Sequence, residues 1–442
     1  MEIHLSDHFD YKKLLRFTFP SIVGMVFTSV YSVIDGYFIS NYAGKIPFAA
    51  INFIYPLIQM LSCIGFVFGT GGNALISKIM GEGHHEKANS LFSLFVYTSS
   101  AIALVISVIG FLFLRPIAVF MGGSGEMLEY AIIYGRILFA GLTTFVLQVE
   151  FQSFFIAAGK PKLGLYITLA AGITNIIGDF LLVGILRMGI VGAATATVSA
   201  QVVGSIIPLF YFTRKNDSLL HLQGTQFDGP SIFKALTNGA SELMSNISAS
   251  LIAMLYNSQL LKFYGDDGVA AYGTIMYVSF IFIAIYFGYS SGTAPLISYH
   301  YGAQNREELK NLYHKSLVIT LIMSLMMFTL SHVLAPFIVN FYVSYDQGLH
   351  DLTLMAFRRY AFSYLFAGFS IFGSAFFTAL NNGLISAIIS FSRTLFYQSI
   401  AVMVLPMIFG VDAIWFATLV SGIFSSLTTF FFIRKYRSVY QY

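Results

Sequence analysis

Twelve apolar runs, each long enough to cross a bilayer, follow one another along this chain with only short polar breaks between most of them. They cover 14–40, 47–77, 91–114, 129–157, 163–186, 190–213, 233–262, 268–300, 315–340, 352–380, 384–409 and 412–433. An apolar run of at least ~18 residues reads as a spanning helix, because only a helix or a closed barrel satisfies its backbone inside hydrocarbon. The breaks leave no room for a soluble domain of any size. Composition agrees: 57% of the 442 residues are hydrophobic and 10% charged, where a soluble domain carries roughly 25% charged residues. The expectation is an all-α polytopic membrane protein with twelve transmembrane helices.

Lys12, Lys13 and Arg16 precede a first run much longer than the ~7–15 residue core of a signal peptide, and no small-residue cleavage site follows it. It reads as a retained first span. The single cysteine, Cys63, falls inside the second run, which excludes disulfides and a zinc cluster and suits a small buried apolar role. Lys and Arg gather at the N-terminus, in 78–90, in "GKPK", in 214–232, in 302–315 and in the tail "RKYRSVYQY". By the positive-inside rule both termini face the cytoplasm. The net charge of +4 is therefore a topology signal and gives no reason to expect nucleic acid.

The chain is duplicated. "GNALISKIMGEGHHEKAN" follows the second run and "TAPLISYHYGAQNREELK" the eighth. Leu75-Ile76-Ser77 aligns with Leu296-Ile297-Ser298 and Gly81 with Gly302, an offset of 221 residues. The same offset maps Ala49-Ala50 onto Ala270-Ala271, Gly189 onto Gly410, and Ala196-Thr197 onto Ala417-Thr418. Six spans per copy is an even number, so both copies enter from one side, as two six-helix lobes related by a parallel pseudo-twofold repeat. The expected boundaries are an N-lobe over 1–213, a polar cytoplasmic linker over 214–232 and a C-lobe over 233–442.

Departures from the repeat carry the functional information. Asp35, inside the first span, maps onto Tyr256; Asp179 maps onto Ile400 and Asn175 onto Phe396. A shared structural need would appear in both halves, whereas these acids belong to one. Asn175 and Asp179 are four residues apart and share a helical face. Counted from the cytoplasmic entries, Asp35 and Asp179 both lie roughly 25–30 Å in, and Thr197 reaches a similar level about 12 Å from the outer side. Two carboxylates, an amide and a hydroxyl can thus meet inside the first lobe. Oxygen ligands suit a proton or a hard monovalent cation such as Na+. Two carboxylates together in a low dielectric cannot both ionise cheaply, so binding and release of such an ion gives two electrostatic states.

Other intramembrane polar groups are candidates for a substrate cavity. Glu150 and Glu242 lie roughly 12–14 Å from the cytoplasmic side, and Arg393 is at a similar depth in the eleventh span. Glu242 and Arg393 share a half, and either a buried ion pair or substrate contact fits them. Glu150 lacks a partner in its half, which suits attraction of a cationic substrate, and Phe151 and Phe154 beside it can line a cavity for planar apolar cations. "GTGGNA" at 69–74 lacks the strand and βαβ context of a nucleotide loop. His84-His85 reads as a solvated turn, and without a Walker sequence ATP is not the expected energy source.

In "FTFPSIVGMVFTSVYSVIDGYFI", "GTGGNALISKIMGEGHHEKA", "FIAAGKPKLG", "NIIGDFLLV" with "GIVGAATATVSAQ", and "APLISYHYGAQ", the chain resembles the multidrug and toxic compound extrusion (MATE) family, and within it the MepA-like bacterial branch. The resemblance spans nearly the whole sequence. It implies two six-helix lobes, an outward V-shaped cleft, and efflux of organic cations driven by inward proton or sodium flow, with Asp35, Asn175, Asp179 and Thr197 as the cation-coupling site. Some members carry an acid deeper in the seventh span, near Ser250; here the nearest is Glu242, two turns earlier, so a coupling site in the second lobe is not expected.

The reading is a secondary antiporter, not an enzyme, exporting cationic amphiphilic compounds in exchange for H+ or Na+ with no other cofactor. It is expected as a monomer in the plasma membrane, with lipid and small organic cations as its only partners. Two rivals are weighed. A lipid-linked oligosaccharide flippase needs a strongly basic cavity, and the spans hold few basic residues. A metal-dependent membrane transferase needs acids paired near the surface, and the only adjacent pair, Asp266-Asp267, sits in a short outer turn where a hairpin role suffices.

Overall fold

A computed structural model describes residues 3–43, 45–343 and 346–442. All regular structure among the described residues is helical. The succession is α1 (Tyr11–Phe38), α2 (Ile46–Gly81), α3 (His85–Phe120), α4 (Gly125–Ala140 and Leu142–Ala157), α5 (Pro161–Ile185), α6 (Gly189–Thr213), α7 (Ala240–Tyr264), α8 (Asp266–Gly302), α9 (Arg306–Val343), α10 (Gln347–Ala361 and Tyr364–Ala379), α11 (Gly383–Phe409) and α12 (Val411–Tyr440). Nine are long and apolar enough to cross a membrane unbroken, and the two bent pairs bring the number to eleven. The twelfth, α7, is 25 residues long but too rich in Ser, Asn and Gln to join that set. The protein is a multi-pass integral membrane protein.

The repeat is visible in where the helices break. α4 bends by 55° at Gly141, and α10 bends by 48° at the equivalent place. The run expected over 233–262 divides differently: a short helix, Gly229–Asn238, is separated from α7 by Gly239. A side chain there would overlap the carbonyl of Val67 in α2, so the close approach of the two lobes requires glycine at the break. The linker beyond Thr213 runs along the start of α3, where His221 N donates to Asn89 Oδ1 and Gln223 N to Ser93 Oγ, both at 2.9 Å. Lys160, in the loop before α5, holds Asp217 of the linker at 2.8 Å and keeps that carboxyl below its ordinary range.

The lobes meet through glycines at the face that carries both termini. A methyl group on Gly81 would overlap the carbonyl of Tyr299, and one on Gly302 would overlap the carbonyl of Lys78. These two contacts are images of each other under the 221-residue offset, as are those of Gly71 on Gly239 and Gly292 on Thr18. The pseudo-twofold axis therefore passes between α2 and α8, along the bundle, as a parallel repeat requires. Gly288 lets α8 rest on Ile22, so α1 packs along α8 as well as within its own lobe.

The segment before α1 crosses to the other lobe. Glu308, at the start of α9, accepts from the Phe9 amide at 2.9 Å and pairs with His8 at 2.6 Å, while Lys315 Nζ donates to the Phe9 carbonyl at 2.6 Å. The Phe9 ring is fully buried, edge-on to Phe17 at 6.0 Å. Phe9→Ala should lower the stability of the purified protein by about 3 kcal/mol, the lower end for a buried Phe truncation. A thermal-unfolding midpoint indistinguishable from that of the parent would show that this strap contributes nothing.

Candidate functional site

α1 and α5 approach closely because Gly172 leaves room for Phe27 and Tyr31, and α6 closes on α5 where Gly178 meets Ala196. That packing brings the acid of the first span to the pair on the fifth. Asp35 stands close enough to both Asp179 and Asn175 to interact with them electrostatically. Asp179 and Asn175 are almost completely buried, at 0% and 2% exposure. Asp179 also opens a π-helical turn, Asp179–Ile185; such turns widen the backbone and recur at functional sites.

The cluster is under-supplied with donors. Both carboxylate oxygens of Asp179, Oδ1 of Asp35 and Oδ1 of Asn175 are buried without a hydrogen-bond partner among the described residues. Two ionised carboxylates cannot donate to each other. One proton shared by the pair creates a donor, and a small cation placed between them gives both an electrophile. These orphaned oxygens can accept a proton or ligate a small hard cation. Among the described residues there is no group of three or more His, Cys, Asp or Glu side chains that would hold a transition metal.

Thr197 is half-buried on α6, and its hydroxyl donates to the Ala193 carbonyl at 3.0 Å, leaving its oxygen free to accept or ligate. Tyr256 and Thr418, the repeat mates of Asp35 and Thr197, share a hydrogen bond at 2.9 Å, and Gln398 donates to Thr418 at 3.1 Å. Tyr256 stacks on Tyr272 at 4.7 Å. Where the first lobe has acids, the second has a satisfied neutral cluster.

Three tyrosines around Asp35 escaped the sequence reading. Tyr31 of α1, Tyr55 of α2 and Tyr134 of α4 all lie within electrostatic reach of its carboxylate. Tyr134 is buried, whereas Tyr55 keeps 47% of its surface accessible. The available signal was the one that found the acids: their repeat mates are Ile252, Met276 and Met355, so these hydroxyls too occur in one lobe only.

The proposed cavity residues divide. Glu150 is fully buried, with Oε2 accepting from Ser99 at 2.5 Å. Phe151 and Phe154 are also fully buried, packed with Phe92 and Phe212 at ring distances of 5.0–6.5 Å. They form packed core and do not line an open cavity. Glu242 and Arg393, by contrast, share a narrow cavity between the lobes, with about 50 Å³ of free space and Thr70 and Asn73 of α2 on its other wall. Glu242 attracts Arg393, but among the described residues no ion pair within 4.0 Å joins them, contrary to the buried pair considered above. Arg393 instead lies over the Phe287 ring at 5.9 Å. Cys63 is buried as expected, its sulfur near Asn246 Nδ2 at 3.6 Å.

The model of the MatE family matches the chain twice, over 20–181 and 243–403, each copy within two residues of the repeat offset. The multidrug export protein MepA of Staphylococcus haemolyticus is 28% identical over 309 residues, covering 68% of this chain and 66% of that protein. MepA of Staphylococcus aureus strain MRSA252 is 24% identical over 331 residues, covering 73% and 72%. The match thus spans roughly two thirds of these relatives' length. Among solved structures, an outward-facing multidrug resistance MATE family transporter of the MOP superfamily superposes with a TM-score of 0.92 at 22% identity, covering 98% of this chain and 97% of the other. A MATE structure in complex with MaL6 gives 0.93 at 22% identity, covering 98% of both.

Proposed function

Since this chain belongs to the MatE family, we propose that it is a multidrug efflux transporter working as an antiporter: it exports amphiphilic organic cations in exchange for H+ or Na+ taken up at Asp35, Asp179, Asn175 and Thr197. The observation that carries the reading is the set of orphaned buried oxygens on Asp35, Asp179 and Asn175. An ion entering that cluster removes a repulsion between helices of one lobe, and its departure restores it. Occupancy then biases how α1 lies against α5, and α1 also packs on α8 across the interface. That continuity gives ion binding a physical route to the interlobe cavity, whose roughly 50 Å³ of free space must widen as the lobes move before substrate is held there.

Both termini are assigned to the cytoplasm on the distribution of Lys and Arg, and the membrane to the plasma membrane of a bacterium. Transport rather than catalytic turnover is the activity, and the flippase reading loses ground because the interlobe cavity carries one arginine opposite a glutamate in place of a basic lining. The family's relatives named as multidrug exporters support the same choice.

The test is substrate-dependent ion flux in proteoliposomes of the purified protein. Adding an amphiphilic organic cation inside vesicles that hold a proton or sodium gradient should dissipate one of the two gradients and leave the other. Substrate movement with neither gradient affected would end the antiport reading.

A further inference from the structure

The interlobe cavity contains a second departure from the repeat, of opposite kind to the first. Glu242 maps back onto Ser21, and Arg393 maps back onto Gly172, the residue over which α1 and α5 close in the first lobe. At the corresponding junction of the second lobe the chain places a guanidinium, on the π-helical turn Ser392–Phe396. A guanidinium is always charged, and in a membrane span it is retained only where acceptors or a water-filled cavity receive it. Here it is poorly served. Nη2 reaches the Ser245 hydroxyl only at 3.5 Å, and Nη1 is buried without a partner among the described residues. The Ser290 hydroxyl, on the same cavity wall, is likewise unpartnered.

We infer that Arg393 is the docking point for an acidic group of the substrate, so that among amphiphiles bearing a cationic amine the cavity favours those that also carry a carboxylate. This rests on the antiport reading above and names the substrate class of that cavity. The guanidinium carbon lies 5.9 Å from the Phe287 ring centroid, and the poorly served Nη1 and Nη2 are left to meet a carboxylate in the two-pronged geometry that arginine favours. Glu242 lines the same cavity without closing on Arg393, so a molecule carrying a carboxylate and a protonated amine satisfies both. A plain cation satisfies Glu242 alone and feels repulsion from Arg393.

The experiment uses dansyl-lysine, a fluorescent zwitterion, and its methyl ester, a cation of nearly the same shape. Binding is measured by fluorescence titration of the purified full-length protein in detergent, which needs no gradient. In the parent protein the zwitterion should bind at least as tightly as the ester. Arg393→Gln should weaken the zwitterion at least tenfold and tighten the ester, and Arg393→Lys, which keeps charge but loses the fork, should fall between. Glu242→Gln should weaken both, since both carry the amine. Equal weakening of the two probes by Arg393→Gln, or a parent protein that prefers the ester tenfold, overturns the inference. Uphill export of the ester in proteoliposomes, measured separately, reports on the antiport mechanism, so a failure of binding selectivity and a failure of coupling are read apart.

Discussion

Asp35→Asn and Asp179→Asn will each abolish gradient-driven export of an organic cation from proteoliposomes while leaving the protein folded and inserted. An asparagine keeps the shape of the side chain and adds an amide donor to a cluster short of them, so the orphaned oxygens of the remaining carboxylate find a partner without any ion. The lobe is then held permanently in the state that ion binding would otherwise select. Transport should fall at least a hundredfold in each variant, and the double variant should lose no more than either single one, because removal of either carboxylate already disables the same exchange. Elution as a monodisperse peak and an unchanged melting point check that folding is intact. Uphill transport at the parental rate in both single variants would remove the coupling role from this cluster.

Gly302→Val should produce the second large effect, at the opposite end of the molecule. A side chain on Gly302 has no place to go while Lys78 stands against it: the overlapping atom is a backbone carbonyl, which cannot rotate away as a flexible side chain would. The lobes must part where the termini lie, and the image contact of Gly81 on Tyr299 is lost with it. Transport should stall, since alternation needs that face to close. The chain's only cysteine, Cys63, is buried, so Cys63→Ala with Ser291→Cys puts a single thiol in the interlobe cavity. A charged thiol reagent added from the terminal side should label it at least tenfold faster in the valine variant. Equal labelling rates would mean that the glycine contact does not seal the cavity.

How far the sequence reached follows from what kind of signal each feature leaves. The spans were legible because hydrocarbon demands long apolar runs, and the acids at 35 and 179 because a charge there is costly and has no copy in the other half. Their meeting followed from helical rise alone. Phe151 and Phe154 were misplaced because a membrane helix is apolar all round: lipid, core and cavity faces use the same residues, so periodicity cannot tell them apart. The break at Gly239 was hidden for a related reason, since the run reads as continuous and the contact with Val67 that requires glycine there comes from across the interface. Glu242 and Arg393 were found as residues but not as a pair held apart, because composition gives opposite charges without the ring of Phe287 that positions one of them.

In the proposed antiport cycle, the hydrogen bond between Tyr256 and Thr418 would set a limit on the current carried. With that lobe neutral at its centre, the ion-carrying capacity of one cycle is whatever a single pair of carboxylates can hold. If one monovalent ion enters for each monovalent cation expelled, no net charge crosses the bilayer, and voltage exerts no pull on the cycle; only the concentration gradient of the ion does work. A zwitterion leaving by the same route would carry no compensating charge, and the identical machinery would then run on voltage as well, at about 2.3 kcal/mol for each 100 mV.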